Sequence, residues 1–355
     1  MKWKKLCTFL LLGLFTAFML TGCANVGNGK RIVRIAHSQS EKHPEHIGLL
    51  KFKEYVESKL GDKYEVQIFP NELLGGQKKA IELTQTGAID FVVVGCPNVE
   101  TIAGVYEVFS MPYLFASEKA YFDTMHDEDY MKKVYQSTDE AGFRVLTWYN
   151  AGLRSFYAKK KIMTPDDMKG LKLRVQQSPA SIAMVNALGA AATPMAFGEV
   201  YTAIQQGVID GAENNELAIT NNKHGEVAQY YSYTRHQMIP DIMMGNLKFL
   251  KSLSESELKV FEDAAKLSTE VELKEWDKQI GEAKKFASES MGVEFVEVDM
   301  TPFRAKMVDL HKDMLANNPD IRDIYEHIQK INEKSAGSAK ADGDNNNDDK
   351  NAEVG

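Results

Sequence analysis

The sequence predicts an α/β protein with two domains. At 355 residues the chain is longer than a single hydrophobic core usually supports, so two domains are expected in its folded part. Short apolar segments bounded by Gly, Pro or polar turn residues alternate with longer segments that carry helix start and stop signals. This alternation favours layers of strands and helices over an all-β sandwich or a helix bundle.

The first 22 residues have the features of an export signal. Three lysines among the first five residues precede an apolar segment that ends at Leu20, which is shorter than the roughly 20 residues of a membrane-spanning helix. A Thr-Gly pair before Cys23 is typical of a bacterial lipobox, in which the cysteine is acylated. We therefore expect lipidation of Cys23, residues 23–30 as an anchor linker, and a location outside the cytoplasmic membrane, at the cell surface or in the periplasm. The alternative is an ordinary signal peptide with an incidental cysteine.

Charge and cysteine content exclude several classes of protein. The formal net charge is −8, and removal of the signal lysines makes it more negative, so nucleic acid is not an expected partner. An anionic ligand would have to be bound by individual positive side chains. Outside the signal and the lipidation site, Cys96 is the remaining cysteine, so no disulfide framework is possible and Cys96 is interpreted as a small buried hydrophobe.

Strand and helix signals can be assigned in order along the body of the chain. The segments predicted as strands are 31–36, 64–69, 89–94, 143–149, 155–158, 171–175 and 208–212. Thr164 and Ser178 each cap a helix that starts with proline, and residues 197–206 form another helix that stops at Gly207. Ser254 opens a capping box before a helix to about residue 287, long enough to brace two domains. Residues 335–350 have no large apolar side chain, and residues 335–355 are predicted to be a disordered acidic tail.

Polar residues that end the apolar segments are the candidate ligand contacts, because ligands of open α/β sheets bind beyond the carboxyl ends of the strands. These residues are His37, Gln39, Asn150, Arg154, Arg174, Gln176, Asn214 and Asn215. Planar donors and amides from several strands would suit a carboxylate that also carries hydroxyl groups. Spacing alone leaves Arg174 equally consistent with a surface group on its strand. An arginine fork nevertheless matches a carboxylate with two parallel hydrogen bonds, which lysine does not supply.

Several separated segments together resemble the solute-binding subunits of tripartite ATP-independent periplasmic (TRAP) transporters, the DctP family. The segments are 111–115, 150–154, 170–179 and 206–215, in an order that makes the likeness more specific than any single motif, and the likeness spans about residues 31–325. Segments 36–43 and 210–215 look closest to members that bind hexuronates such as glucuronate or galacturonate.

The resemblance implies a two-domain periplasmic-binding-protein-like clamp with a mixed sheet in each lobe, hinge crossings and a long bridging helix. Lobe I would comprise residues 31–151 plus about 240–280, and lobe II would comprise residues 152–239 plus about 281–334. Arg174 matches the carboxylate-binding arginine of the family, Arg154 a second arginine that assists it, and Asn214 a site amide. The expected partners are a small carboxylate ligand, the TRAP permease subunits and the membrane through the lipid anchor.

Other functions remain open on the sequence. The ligand could be a C4-dicarboxylate or another organic acid, and the protein could instead present its ligand to a sensor kinase. A surface enzyme acting on uronates is a third class, but the sequence has no Gly-x-Ser-x-Gly or His-Glu-x-x-His motif, so we do not expect an enzyme. His37, His43 and His46 lie close together without a cysteine ligand, so we expect no cofactor and no required metal. Asp241, after Pro240, is interpreted as a turn residue.

Overall fold

The computed structural model describes residues 29–348, with side chains up to residue 336. The predicted signal peptide and the lipidation site at Cys23 lie outside the described residues. Within residues 29–348, no helix is both long and apolar enough to cross a membrane.

The described strands and helices alternate along the chain. The strands are β1 (Arg31–Ala36), β2 (Tyr64–Phe69), β3 (Phe91–Gly95), β4 (Phe143–Tyr149), β5 (Leu153–Ala158), β6 (Lys172–Val175), β7 (Ala191–Pro194), β8 (Gly211–Asn214), β9 (Tyr230–Met238), β10 (Asp241–Asn246) and β11 (Glu294–Glu297). The α-helices are α1 (Pro44–Leu60), α2 (Gln77–Thr86), α3 (Glu118–Met125), α4 (Glu128–Gln136), α5 (Pro179–Ala187), α6 (Val200–Gln205), α7 (Glu216–Asn221), α8 (Leu247–Ser252), α9 (Glu255–Met291), α10 (Thr301–Asn317) and α11 (Arg322–Asp348).

The strands form two mixed sheets, as predicted. Lobe I is built on the sheet β2-β1-β3-β10-β4, in which β1 runs parallel to both neighbours and β10 runs antiparallel to both. Lobe II is built on the sheet β11-β9-β5-β8-β6-β7. The chain passes between the lobes from β4 to β5 through residues 150–152 and from β9 to β10 through residues 239–240. These two short crossings form the hinge.

Helix α9 is the predicted bridging helix. Ser254 caps it in a capping box with Glu257, as the sequence indicates. Its first half packs in lobe I through Phe261, whereas Ala287 near its end packs in the lobe II core. Gly48 on α1 permits the close approach of the two helices, because a Cβ there would lie 2.6 Å from the Ser268 carbonyl oxygen.

The last part of the chain differs from the expected division into lobes. Residues 281–334 were expected in lobe II, and Phe303 and Met307 of α10 do pack there. Further along, Met314 and Ile324 are buried in the lobe I core instead. The chain therefore crosses back along α10, because the apolar face of α11 is buried against lobe I rather than lobe II.

Residues 335–355 are expected from their composition to be disordered, whereas α11 continues to Asp348. A helix that is already nucleated over residues 322–334 gains one backbone hydrogen bond for each residue added, and it can therefore run on without burying large apolar side chains. Residues 349–355 lie outside the described residues.

The predicted strands are present, although their limits differ where helix ends compete for backbone groups. The segment predicted at 208–212 begins pairing at Gly211, as β8. The amides of Val208 and Ile209 instead donate to the Ala203 carbonyl and close the end of α6. Asp241 does not set a turn but begins β10, where pairing with β3 and β4 decides its conformation.

We expect the aromatic contact between α9 and the lobe I sheet to be a large contribution to stability. Phe261 is fully buried and its ring stacks on Phe91, with centroids 5.8 Å apart. Phe261→Ala should lower the free energy of unfolding in urea by about 3–5 kcal/mol, because it leaves a cavity in the core. Phe286→Ala is the matched control on the same helix, since Phe286 is 54% exposed, and it should change stability by no more than about 0.5 kcal/mol. Similar losses in the two variants would contradict this assignment of the core.

Candidate functional site

Arg174 lies on β6 in lobe II with only 3% of its surface exposed. Its Nε and Nη2 atoms donate to the Met195 carbonyl oxygen at 3.1 and 3.0 Å. The guanidinium carbon lies 5.5 Å from the centroid of the Phe197 ring, a cation–π distance. The segment that follows β7 therefore fixes the guanidinium on one side.

Among residues 29–348, no carboxylate forms a salt bridge with Arg174. Burial lowers the pKa of Arg174, and the more distant Glu213 carboxylate only partly opposes this effect. A buried guanidinium without a carboxylate has lost its hydration and gained no ion pair in exchange. The remaining N–H donors of Arg174 are therefore suited to an incoming anion.

Arg154 on β5 is equally buried but has a carboxylate partner. Its Nε and Nη2 atoms donate to Glu213 at 2.6 and 2.9 Å. Burial alone would lower the pKa of Arg154, but the charge and hydrogen bonds of Glu213 outweigh it and raise that pKa. Burial would likewise raise the pKa of Glu213, but the Arg154 charge together with hydrogen bonds from His236 and Arg154 lowers it to about 2. The pair is therefore ionised.

The paired Arg154 orients Asn214. The Asn214 Oδ1 atom accepts from Arg154 Nη1 at 3.0 Å and from the Asn215 amide at 2.8 Å. This leaves the Nδ2 group as a donor that has no hydrogen-bond partner within the described part of the chain. Arg174 pairs with Ala212 on β8, so Asn214 lies two residues further along the same face of the sheet. Two kinds of donor, a cation and an amide, thus share one face.

Two other predicted contacts serve the hinge. Asn150 Oδ1 accepts from the Gly152 amide at 3.0 Å, which closes the turn between β4 and β5. Asn215 caps α7 through Oδ1 and donates from Nδ2 to the Ala151 carbonyl oxygen at 2.8 Å. Both side chains are buried and hold the crossing in place. Neither side chain forms a hydrogen bond with Arg174 among the described residues.

Amides from both lobes meet at the boundary between the lobes. Gln176 Oε1 in lobe II accepts from Asn98 Nδ2 in lobe I at 3.2 Å, so the lobes are in contact. Gln77 Oε1 accepts from Asn98 Nδ2 at 2.7 Å and from the Gly95 amide at 2.9 Å. Sequence reasoning identified Gln176 but not Gln77 or Asn98. Asn98 follows the carboxyl end of β3 and could have been found by the same strand-end rule, whereas Gln77 lies at a helix start and gives no such signal.

A cluster of buried acids and histidines lies behind these amides in lobe I. The carboxyl groups of Glu45 and Asp241 are hydrogen-bonded to each other, and the Gln39 side chain also bonds Asp241. His37 lies between Glu45 Oε1, which is 3.2 Å from its Nδ1, and His46, whose Nδ1 is 2.9 Å from its Nε2. Burial raises the pKa of Glu45 to about 8 and lowers that of His37 to about 3. The contact between Glu45 and His37 is therefore between neutral groups.

The same burial keeps the rest of the cluster neutral. It raises the pKa of Asp241 and of Glu272 well above their ordinary values, and it lowers the pKa of His43 to about 3. Within the described residues, no group of His, Cys, Asp and Glu side chains has the arrangement of a metal site. Protonated acids, neutral imidazoles and amides can donate to and accept from hydroxyl groups, which carry no charge. His37 and Gln39 thus belong to a polar, uncharged wall of lobe I.

Residues 35–318 match the sequence model of a family described as bacterial extracellular solute-binding protein, family 7 (DctP). Among curated proteins, the chain is 39% identical to the uncharacterized protein YiiZ of Salmonella typhimurium over 89% of this chain and 96% of that protein. Two of the similar solved structures are TRAP periplasmic solute-binding proteins with bound sugar acids. One, from Anaerococcus prevotii, contains α/β-D-glucuronate and is 51% identical, with a TM-score of 0.84 over 86% of this chain and 99% of that one. The other, from Sulfitobacter sp. NAS-14.1, contains β-D-galacturonate and is 33% identical, with a TM-score of 0.81 over 84% of this chain and 100% of that one.

The buried ion pair of Arg154 predicts a large loss of stability on neutralisation of one partner. Glu213→Gln should lower the free energy of unfolding by about 3–5 kcal/mol, because it leaves the Arg154 charge buried without a counter-charge. Glu297→Gln removes the carboxylate of the more exposed pair with Arg235 and should change stability by no more than about 1 kcal/mol. Urea unfolding of both variants measures the difference, and equal effects would show that burial does not set the strength of the Arg154 pair.

Because the buried acids are neutral, we expect the free energy of unfolding to fall as the pH rises above 6.5. Glu45 has a pKa of about 8 in the fold against an ordinary 4.5, so the folded protein holds more protons than the unfolded chain in that interval. The buried His37 and His43 act in the opposite direction, but only from about pH 3 to 6.5. The free energy of unfolding should therefore decline from pH 6.5 to 8, and less steeply in Glu45→Gln. The exposed Glu54→Gln is the control, and an unchanged slope in Glu45→Gln would contradict the neutral state of Glu45.

Proposed function

This chain belongs to family 7 of the bacterial extracellular solute-binding proteins, the DctP family, and on that premise we propose that it binds a hexuronate such as D-glucuronate or D-galacturonate for a TRAP transporter. It is a solute-binding receptor and not an enzyme. The similar structures with bound glucuronate or galacturonate support the ligand class. The chain's own residues support it independently through the pattern of charge in the cleft.

The observation that carries the proposal is the unpaired guanidinium of Arg174. Its free donors take the ligand carboxylate, which supplies the counter-charge that the fold gives to Arg154 but not to Arg174. The Asn214 amide, fixed by Arg154, donates to the same end of the ligand. Arg154 therefore acts through Asn214, while Arg174 binds the anion directly.

The neutral wall of lobe I favours hydroxyl groups over a second carboxylate. Gln77 and Asn98 of lobe I supply amides, which Gln176 of lobe II joins across the cleft, and Asp241 with Glu45 supplies carboxyl groups whose pKa values are raised by burial. A C4-dicarboxylate would place its second charge against buried acids that form no salt bridge with a described Lys or Arg, which is unfavourable in a buried site. A hexuronate has one carboxylate, which fits the charged wall of lobe II at Arg174, and several hydroxyls, which fit the neutral wall of lobe I.

Binding and closure would proceed together. The contact between Asn98 and Gln176 joins the lobes across the cleft, so a ligand between them is enclosed when it forms. Closure excludes water and strengthens the charged hydrogen bonds of Arg174. Asn150 and Asn215 hold the crossing at residues 150–152, and this crossing and the one at residues 239–240 would permit the movement without unfolding of either sheet.

Delivery of the bound ligand requires partners other than this chain. We expect the TRAP permease subunits to receive the ligand from the closed receptor. We also expect acylation of Cys23 to hold the receptor at the outer face of the cytoplasmic membrane. If the anchor keeps the receptor beside the permease, Cys23→Ser should slow growth on glucuronate and increase the amount of receptor found in the medium.

The role of Arg174 is tested by a conservative substitution. Arg174→Lys keeps the charge but loses the planar fork, so the Kd for D-glucuronate should rise by at least about tenfold, equivalent to about 1.4 kcal/mol. Isothermal titration calorimetry with D-glucuronate, D-galacturonate and succinate measures the affinity and the preference for a hexuronate.

Arg322→Lys is the matched control, because Arg322 is exposed and lies on α11. It should bind as the wild type does. Unchanged affinity in Arg174→Lys would show that Arg174 does not bind the carboxylate. Tighter binding of succinate than of either hexuronate by the wild type would show that the ligand is a C4-dicarboxylate.

A further inference from the structure

The segment after β2 contacts lobe II on the side of the cleft farthest from the hinge. Strands β2 and β7 are the outer strands of their sheets, whereas the hinge crossings join β4 to β5 and β9 to β10 on the other side. Glu72 follows β2, and residues 195–198 follow β7. A contact between them spans the mouth of the cleft and must break when the lobes separate.

Glu72 makes this contact with both of its carboxylate oxygens. Oε1 accepts from the Phe197 amide at 3.2 Å and Oε2 accepts from the Gly198 amide at 3.1 Å. A Cβ at Gly198 would lie 2.9 Å from Glu72 Oε2, so glycine leaves the space that the carboxylate needs. The bonds are charge-assisted and join two lobes of the molecule.

The turn that carries Glu72 is itself held in an unusual conformation. Asn71 and Glu72 have φ values of 54° and 56°, a left-handed conformation that residues other than glycine rarely adopt. Their amides donate to the carbonyl oxygens of Gln39 and His37, at 3.0 and 3.2 Å. The turn is thus tied to the end of β1, and this places the Glu72 carboxylate toward lobe II.

The segment that Glu72 holds is the one that fixes Arg174. Met195 supplies the carbonyl oxygen that accepts from Arg174, and the Phe197 ring lies beside the guanidinium. Glu72 therefore bonds the backbone of the Arg174 support from the opposite lobe. A ligand on Arg174 and the Glu72 bonds stabilise the same closed state, so each should strengthen the other.

We propose that Glu72 is a positioning residue that latches the closed lobes and slows release of the bound ligand. The proposal rests on the proposed function, because the ligand that it retains is the hexuronate. Glu72 needs no contact with the ligand for this role. Its effect should appear in the dissociation rate, since the bonds form when the lobes close, with or without ligand, and must break before a bound ligand can leave.

The first test measures release rates. Glu72→Gln and Glu72→Ala should each raise koff for D-glucuronate on the order of tenfold while kon changes by less than about threefold. Stopped-flow fluorescence of Trp276 measures both rates, because the indole ring of Trp276 packs against the hinge crossing. A Cβ at Gly152 in that crossing would lie 2.4 Å from the ring. Glu199→Gln is the matched control, since Glu199 Oε2 accepts from Ala196 of the same segment but within lobe II. It should leave koff within about twofold, and an unchanged koff in both Glu72 variants would overturn the latch.

The second test measures coupling across the cleft. Gly198→Ala places a methyl group against Glu72 Oε2 and should raise koff in the wild type. In the Glu72→Ala background the same substitution should have little further effect, because the carboxylate that it displaces is gone. If the increase in koff in the double variant equals the product of the increases in the two single variants, the two substitutions act independently, and the proposal is overturned.

A third measurement separates the latch from the ligand assignment. Without ligand, hydrogen exchange of the Phe197 and Gly198 amides should be faster in Glu72→Ala than in the wild type, while exchange in β1 stays the same. If the wild type binds no hexuronate, the proposed function fails, but faster exchange at these two amides still supports a closing contact by Glu72. Equal exchange in the two proteins would reject the latch whatever the ligand is.

Discussion

The site depends on how the fold treats two buried positive charges on β5 and β6, the strands on either side of β8. Arg154 and Arg174 are both almost fully buried in lobe II, yet Glu213 neutralises the first and leaves the second without a carboxylate. A buried charge is tolerated when it is paired and is unfavourable when it is not. The unpaired guanidinium makes lobe II selective for an anion, and the paired one gives the site a fixed geometry by orienting Asn214.

The opposite wall follows from the same constraint, applied to acids. Glu45, Asp241 and Glu272 are buried and form no salt bridge with Lys or Arg among the described residues, so burial raises the pKa of each and the acids stay protonated near neutral pH. Lobe I consequently offers hydrogen bonds without net charge. A charged wall and a neutral wall fit a ligand with one carboxylate and several hydroxyls. The hinge and the Glu72 contact decide how long the two walls stay together.

Many details of the fold were predictable because they depend on local chemistry. The strands at 31–36, 64–69 and 143–149, the cap at Ser178 and the capping box at Ser254 follow from residue type and spacing within a few positions. Strands β7, β9, β10 and β11 were not among the predicted segments, because pairing with distant strands defines them more than their own residues do. The packing of α11 on lobe I was likewise not predictable, because both lobes offer apolar surfaces and the sequence does not indicate which of them α11 contacts.

By itself, the sequence determined the class of the protein and the list of polar strand ends that includes Arg174, and it predicted an export signal, since all of these depend on short stretches of sequence. Only the tertiary structure decided that Arg154 is paired and Arg174 is not, because ion pairing depends on which side chains from distant strands come within a few ångströms. It also assigned Asn150 and Asn215 to the hinge and brought Gln77, Asn98 and Glu72 to the cleft. Distances, burial and the resulting charge states are properties of the packed chain, and no local pattern encodes them.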